Sequence, residues 1–383
     1  MSADLDFVTI AQAARLIAAR DLSPVELLEA KLARIRACDG QINAFITLTA
    51  DHALRQAKAA EADIAAGKHR GPLHGIPFGL KDIYATAGIL TTGHSRSGMN
   101  SIPREDAAVT AKLYAAGGVL VGKLATCEFA HGGPSFDAPW PPARNPWNTA
   151  HFTGGSSTGA GASVAAGFLP IAMGTDTGGS VRNPAACCGT VGLKPTYGLV
   201  SRYGVIPNSW TFDHCGPLAW TVEDCAIVLD AIAGFDARDS GSARCEVPDY
   251  RAALGEDIRG LRIGVIRHFW EEDLKVAPEV AQAMDRAIEV LRSLGATLED
   301  ARMAPLQDYL DVKMTIAETE IFCVHQQQIT ERPNEFGLQF LAQTLAGCLF
   351  DGSDYVQAQR ARRRLLAQMA PLYEKYDVLL TVS

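Results

Sequence analysis

Apolar residues along this chain recur first at helical and then at strand spacing. Ile10, Ala13, Ala14, Leu16 and Ile17 share one face of a helix that Thr9 can cap. Ser23-Pro24-Val25-Glu26 predicts a second start, in which Ser23 caps, Pro24 fits the first turn and Glu26 completes a capping box. Leu27, Leu28, Leu32 and Ile35 continue at helical spacing, so residues 9–65 are predicted to be mostly helical. The period then changes. Gly75-Ile76-Pro77-Phe78-Gly79-Leu80-Lys81-Asp82 favours a short strand ending at Lys81, because Pro77 and Gly79 break a helix. A helix near 106–116 leads into the strand Gly118-Val119-Leu120-Val121. Residues 160–166 predict a small-residue helix, and 169–174 and 191–196 predict strands. Residues 261–266 predict another strand, followed by a long helix near 277–294. Strands alternating with helices imply an α/β fold with a mixed or mostly parallel sheet.

The chain reads as a single domain over 1–383. Helices occupy about 9–65, a catalytic core about 70–230 and a variable, largely helical part about 255–383. Residues 132–159 are rich in Gly, Pro, Ser and Asn, and long loops in compact domains are often functional. The final run Asp377-Val378-Leu379-Leu380-Thr381-Val382-Ser383 reads as a strand cut short, so a C-terminal continuation is expected.

Charge narrows the field of partners. A net charge of −8 argues against direct binding of a nucleic-acid backbone. Arg360-Ala361-Arg362-Arg363-Arg364 reads as a solvated helix face. The 9 cysteines include no C-x-x-C pair, which suggests reduced thiols in a cytoplasmic protein. The acidic start Met1-Ser2-Ala3-Asp4-Leu5-Asp6 lacks an apolar signal core, and no apolar stretch is long enough for a bilayer. The 9 histidines show no metal-ligand spacing, and neither a metal nor a cofactor is expected.

Three polar features offer chemistry. In Gly178-Gly179-Ser180 two glycines let successive backbone N–H groups converge, as an oxyanion requires. Gly154-Gly155-Ser156-Ser157-Thr158-Gly159 contains G-x-S-x-G, but the polar lead-in Asn148–Thr153 is not the strand a nucleophile elbow needs. Lys81 follows an apolar strand; a lysine there usually snorkels, but a buried one loses its proton more readily. Each motif alone is equally compatible with a plain turn or a surface residue. Gly117-x4-Gly122-Lys123 imitates a phosphate loop, yet Leu124 stands where a hydroxyl is needed, so Lys123 reads as structural. His131, His151 and His214 lie near enough in sequence to be fallback bases.

Taken in order, four stretches resemble the amidase signature family: Gly75–Asp82, Gly154–Gly159, Gly174–Arg182 and Cys188–Thr196. The match runs from Gly75 to Pro217. The resemblance implies an α/β/α fold with a large mixed sheet and a histidine-free Ser–cis-Ser–Lys triad. On it, Ser180 matches the nucleophile, Ser156 the bridging serine of a cis peptide bond and Lys81 the base. The N–H groups of Thr177, Gly178, Gly179 and Ser180 match an oxyanion hole; Ser157, Asp176 and Arg182 support the site. Gly132, Gly133 and Phe136 border the acyl pocket by the same analogy, with Trp140 nearby. Thr158 departs from the pattern, where glycine is common. The activity so implied is amidase hydrolysis of small linear amides through a Ser180 acyl-enzyme. The alternative is the glutaminase (A) subunit of a tRNA-dependent amidotransferase, and a non-enzymatic scaffold is the third reading. The family often dimerises, so a homodimer is carried as an expectation that no feature of the sequence locates.

Overall fold

The computed structural model describes residues 5–383; Met1-Ser2-Ala3-Asp4, the first part of the acidic start, lie outside the described residues. The chain forms two compact units. One takes in the chain up to Ala252 together with Ile321–Leu345; the other takes in Ala253–Glu320 with Ala346–Ser383.

The first unit opens with three helices. Thr9 caps Ile10–Ala19 through the Gln12 N–H, and the Gln12 side chain accepts the Thr9 N–H in return. Ser23 caps Pro24–Ile42, but the carboxylate at that cap is Glu61, which takes the Ser23 hydroxyl proton, rather than Glu26. Ala50–Ala65 follows. Between the last two helices the predicted helical run is interrupted by a strand, β1 (Phe45–Leu48).

The other strands of this unit are β2 (Pro77–Lys81), β3 (Val119–Leu124), the hairpin β4 (Arg144–Asn145) and β5 (Asn148–Phe152), β6 (Ile171–Asp176), β7 (Val191–Gly192) and β8 (His214–Ala219). Six of them form one mixed sheet in the order β1-β3-β2-β6-β8-β7. β2 is parallel to both neighbours, β3 and β6, while β1, β8 and β7 join antiparallel. The pleat sends alternate residues of β6 to two different cores. Ile171 and Met173 pack with Ile10, Leu27 and Val228; Ala172 packs with Leu28, Val121 and Phe168. A strand covered on both faces reads as a continuous apolar run, as β2 and β6 do.

In the second unit β9 (Arg262–Val265) lies between β10 (Thr297–Asp300) and β11 (Val378–Leu380), all parallel. Pro278–Ser293 and Gly352–Lys375 are its longer helices, and Arg360, Arg363 and Arg364 are exposed on the second. No helix among the described residues is long and apolar enough to cross a membrane.

One motif glycine is explained by packing alone. Gly159 begins the helix Thr158–Ala165 where it passes the ends of β1 and β3. A Cβ there would lie 2.3 Å from Ala44 O and 2.5 Å from Ala125 N, both fixed main chain. Alanine ordinarily gains about 1 kcal/mol over glycine in a helix. Here the overlap outweighs that gain, and Gly159→Ala is expected to destabilise the first unit by about 1–3 kcal/mol. A lower urea midpoint at unchanged slope checks this, and an unchanged midpoint refutes the close approach.

Candidate active site

The site begins with two lysines on neighbouring strands. Leu80 stands opposite Lys123 and Lys81 opposite Leu124, so the pleat sends the lysines to opposite faces. Asp82, two residues on from Leu80, falls to the Lys123 side. Its Oδ1 lies 3.5 Å from Lys123 Nζ, and neither side chain is exposed. Lys123 also donates to Tyr84 O at 2.7 Å and to Thr91 Oγ1 at 2.5 Å. This lysine is a strand residue tied into the core, as its structural reading requires, and β3 leaves no phosphate loop there.

Lys81 has no such carboxylate. It is fully buried, and its Nζ is hydrogen-bonded to Ser156 Oγ at 2.7 Å and to Thr175 Oγ1 at 2.9 Å. Burial pushes its pKa down to about 7; Cys127, Asp213 and Asp176 oppose the shift without cancelling it. At neutral pH a large share of this amine is therefore unprotonated. The Cys127 thiol beside it is pushed by burial up to about 12 and stays neutral.

Ser156 is delivered by the loop before Thr158–Ala165. The Gly155–Ser156 peptide bond is cis. Asn183 Oδ1 accepts the Gly155 N–H at 2.9 Å. Ser156 O accepts from Cys127 N–H at 3.0 Å and from Thr126 Oγ1 at 2.9 Å. Ser157 joins this loop to the rest of the site. Its N–H donates to Ser180 O at 3.3 Å, and its Oγ lies 3.3 Å from both Thr175 N and Thr175 O. Ser180 is thus tied to the cis loop through its carbonyl, and it is half-buried where β6 runs out.

The turn Asp176–Arg182 is folded around a carboxylate. Asp176 accepts the N–H of Gly179 at 2.8 Å and of Val181 at 3.1 Å, together with Arg182 Nη2 at 2.8 Å and Nε at 3.0 Å. Burial alone would raise this carboxyl, but the Arg182 guanidinium and the N–H groups outweigh it and hold it at about 2. Gly179 has φ of +119°, which favours glycine. Its N–H donates to the ionised Asp176 carboxylate at 2.8 Å, a stronger claimant than a substrate oxygen.

Asp213 has no signal in the sequence. Its carboxylate accepts hydrogen bonds from the Thr177 hydroxyl and from the N–H groups of Asn208 at 2.9 Å and Ser209 at 3.0 Å. Burial raises its pKa, with Thr177 and the backbone donors opposing. Thr177 and Asp213 lie 36 residues apart in the chain, so no local spacing could have marked the pair. A cavity of about 220 Å³, lined by Thr175, Asp213, His214, Arg202 and Trp210 among others, opens beside them.

His214 Nδ1 faces the carbonyls of Asp176 and Phe212, with its pKa lowered by burial and then by Lys194. His131 lies against Phe340, and His151 sits on exposed β5. On the loop expected to border an acyl group, a Cβ at Gly132 would meet Gln343 Oε1 at 2.9 Å, and one at Gly133 would meet Gln339 Nε2 at 3.8 Å. Phe136 is 86 % exposed, which removes it from any enclosed wall. The loop is pinned on both sides: Glu128 accepts the Gly337 N–H at 2.8 Å, and Asp137 accepts that of Leu338 at 2.9 Å.

A family model described as Amidase matches residues 26–382. The (A) subunit of the glutamyl-tRNA(Gln) amidotransferase of Chloroflexus aggregans is 47% identical over 317 residues, a match that takes in 83% of this chain and 64% of that protein. The chain therefore spans less than two thirds of that relative's length. A solved structure from a vestigial protein complex, bearing on the origins of an s-triazine catabolic enzyme, is 34% identical; the match covers 97% of this chain and 80% of that one with a TM-score of 0.92. The corresponding (A) subunit of the Thermotoga maritima amidotransferase is 29% identical, covering 100% and 80% of the two chains, with a TM-score of 0.83.

The lysine geometry makes a direct prediction. The Lys81 side chain is expected to titrate near 7, against about 10.4 for an ordinary lysine. Lysine-selective NMR against pH, with Lys81→Met to assign the resonance, checks this. A midpoint above 9 would show that the ammonium is stabilised.

Proposed function

The chain belongs to the amidase family, and on that premise we propose that it cleaves a carboxylic amide through an acyl-enzyme on Ser180, as the ammonia-releasing component of an amidotransferase-like assembly. The observation that carries the chemistry is the buried, carboxylate-free Lys81 hydrogen-bonded to Ser156 at 2.7 Å. A serine hydroxyl is a poor nucleophile until a base takes its proton. Neutral Lys81 takes the Ser156 proton as Ser156 takes that of Ser180. Ser180 Oγ adds to the amide carbon, and the oxyanion sits among the N–H groups of Thr177, Gly178 and Ser180. The Lys81 ammonium returns its proton through Ser156 to the leaving nitrogen. The C–N bond breaks, ammonia or an amine departs, and the acyl group stays on Ser180. Water then attacks the ester, the same relay takes its proton, and the acid leaves.

Sequence similarity supports the assembly setting over the stand-alone amidase that the sequence motifs alone put first. The relative's name concerns an amidotransferase, and the net charge of −8 fits a component whose partner would meet any tRNA. The stand-alone amidase on linear amides remains the second reading, favoured by one observation: every group in the relay comes from this chain. Ammonia release from glutamine that depends on copurifying subunits supports the first setting. Release from simple amides by the isolated chain supports the second.

Ser180→Ala is expected to abolish both ammonia release and the acyl adduct seen by intact-protein mass. Lys81→Met should lower kcat by roughly 10²–10⁴-fold, the usual contribution of a general base. The base works only when unprotonated, so kcat/KM should climb as pH rises through about 7 and level off above it. A profile that falls across that range, or a fully active Ser180→Ala protein, would overturn the mechanism.

A further inference from the structure

Just after Ser180 the chain enters the short helix Arg182–Cys188, which is held at both ends. At its start the Asp176 carboxylate accepts the Val181 N–H at 3.1 Å, and Gly179 O accepts that of Asn183 at 2.6 Å. At its end Asn145 Nδ2 donates to Cys187 O at 2.8 Å, and Trp147 Nε1 donates to Cys188 O at 2.8 Å. The turn Asp176–Arg182 and the hairpin of β4 and β5 thus fix the helix from either side. A side chain on it has a set position relative to Ser180.

Asn183 uses that position. Its Oδ1 accepts the Gly155 N–H at 2.9 Å. A backbone N–H can only donate, so the side-chain oxygen faces Gly155, and Nδ2 turns to Cys187 Sγ at 3.9 Å. The approach is close on both sides. A Cβ on Gly154 would lie 2.8 Å from Asn183 O, and one on Gly179 would lie 3.9 Å from Asn183 Cβ. Asn183 thus meets both the residue that precedes Ser156 and the residue that precedes Ser180.

Ser156 is anchored on its other side, where its carbonyl accepts from the Cys127 N–H and the Thr126 hydroxyl. Asn183 holds the residue before it. The Ser157 N–H, 3.3 Å from Ser180 O, is a longer second tie between the two loops. The Asn183 bond is exposed to solvent, so water can replace it and its loss costs the fold little. A proton relay is more demanding, because a misplacement of about 1 Å can cost about 10²-fold in rate.

We infer that Asn183 is a positioning residue of the reaction: its Oδ1 fastens the Ser156 loop to the turn that carries Ser180, and so keeps the bridging serine in line between Lys81 and the nucleophile. This rests on the proposed relay through Ser156. It adds to that relay a residue that acts through Ser156 and handles no proton itself.

The test follows labelling of Ser180 in the full chain by a small fluorophosphonate, read by intact-protein mass. Asn183→Leu keeps the bulk and removes the acceptor; Asn183→Asp keeps the acceptor. Asn183→Leu is expected to lower the maximal labelling rate about 10–100-fold and to leave the half-saturating probe concentration within about twofold. Asn183→Asp should restore the rate to within about fivefold of the parent. In a Ser156→Ala background, Asn183→Leu should change the residual rate less than about twofold, because the residue it positions is gone. An Asn183→Leu protein that labels at the parent rate overturns the inference. So does a loss that Asn183→Asp does not recover, or one confined to the half-saturating concentration. A loss that persists in the Ser156→Ala background is a defect of the fold and overturns it too. A parent protein that takes no label loses the proposed function, and the inference with it. A parent that labels but is indifferent to Asn183→Leu loses only the inference.

Discussion

The site depends on an ammonium group denied a counter-ion. Moving the Lys81 pKa from 10.5 to about 7 corresponds to a penalty on the charged form on the order of 5 kcal/mol. The rest of the first unit has to supply that, and the placement of β2 shows how. β2 lies in the middle of the sheet, every one of its residues is buried, and its last side chain meets two hydroxyls rather than a carboxylate. Lys123, one strand away, is the internal control. It is equally buried, but it faces Asp82, and its shift stops at about 8. The alternation of the pleat gives one lysine a partner and withholds it from the other.

The same constraint explains why the nearest acids are so heavily engaged. A free carboxylate beside Lys81 would hold its proton on and spoil the base. Asp176 and Asp213 both act on Lys81 in that sense, yet burial prevails. Asp176 directs its charge to Arg182 and to the N–H groups of Gly179 and Val181, and so folds the turn that carries Ser180. Asp213 directs its own to Thr177 and to the N–H groups of Asn208 and Ser209. These acids order the turn Asp176–Arg182 by accepting from its N–H and hydroxyl groups.

Much of this was legible in the chain, and the rest was hidden for identifiable reasons. β2 is an apolar run whose end at Lys81 could be read locally; β6 was legible as 169–174 and runs on to Asp176. β1 could not: four residues between two strong helical patterns are too short to show a period of two. β8 was obscured by Gly216-Pro217, a pair that argues against an inner strand, although β8 is paired on both sides. Of the candidate residues, those in glycine-rich turns were visible because the turn itself is the signal. Asp213 was not, since the site residue it binds, Thr177, lies 36 residues away and Asp213 lies in no motif. The commitment of Gly179 to Asp176 is likewise a matter of three-dimensional aim, which spacing cannot convey.

That division bears on what sequence similarity can carry. Lys81, Ser156 and the turn Asp176–Arg182 come from short elements, where a few fixed contacts leave little freedom. Ile321–Leu345 rejoins the first unit after a long excursion of the chain and is held by the Glu128 and Asp137 contacts to Gly337 and Leu338. Such a helix and turn can exchange side chains without disturbing Lys81, because none of the bonds that position Lys81 runs through them. Identity of 47% to an amidotransferase component therefore speaks with more force for the bond that is broken than for the molecule that contains it.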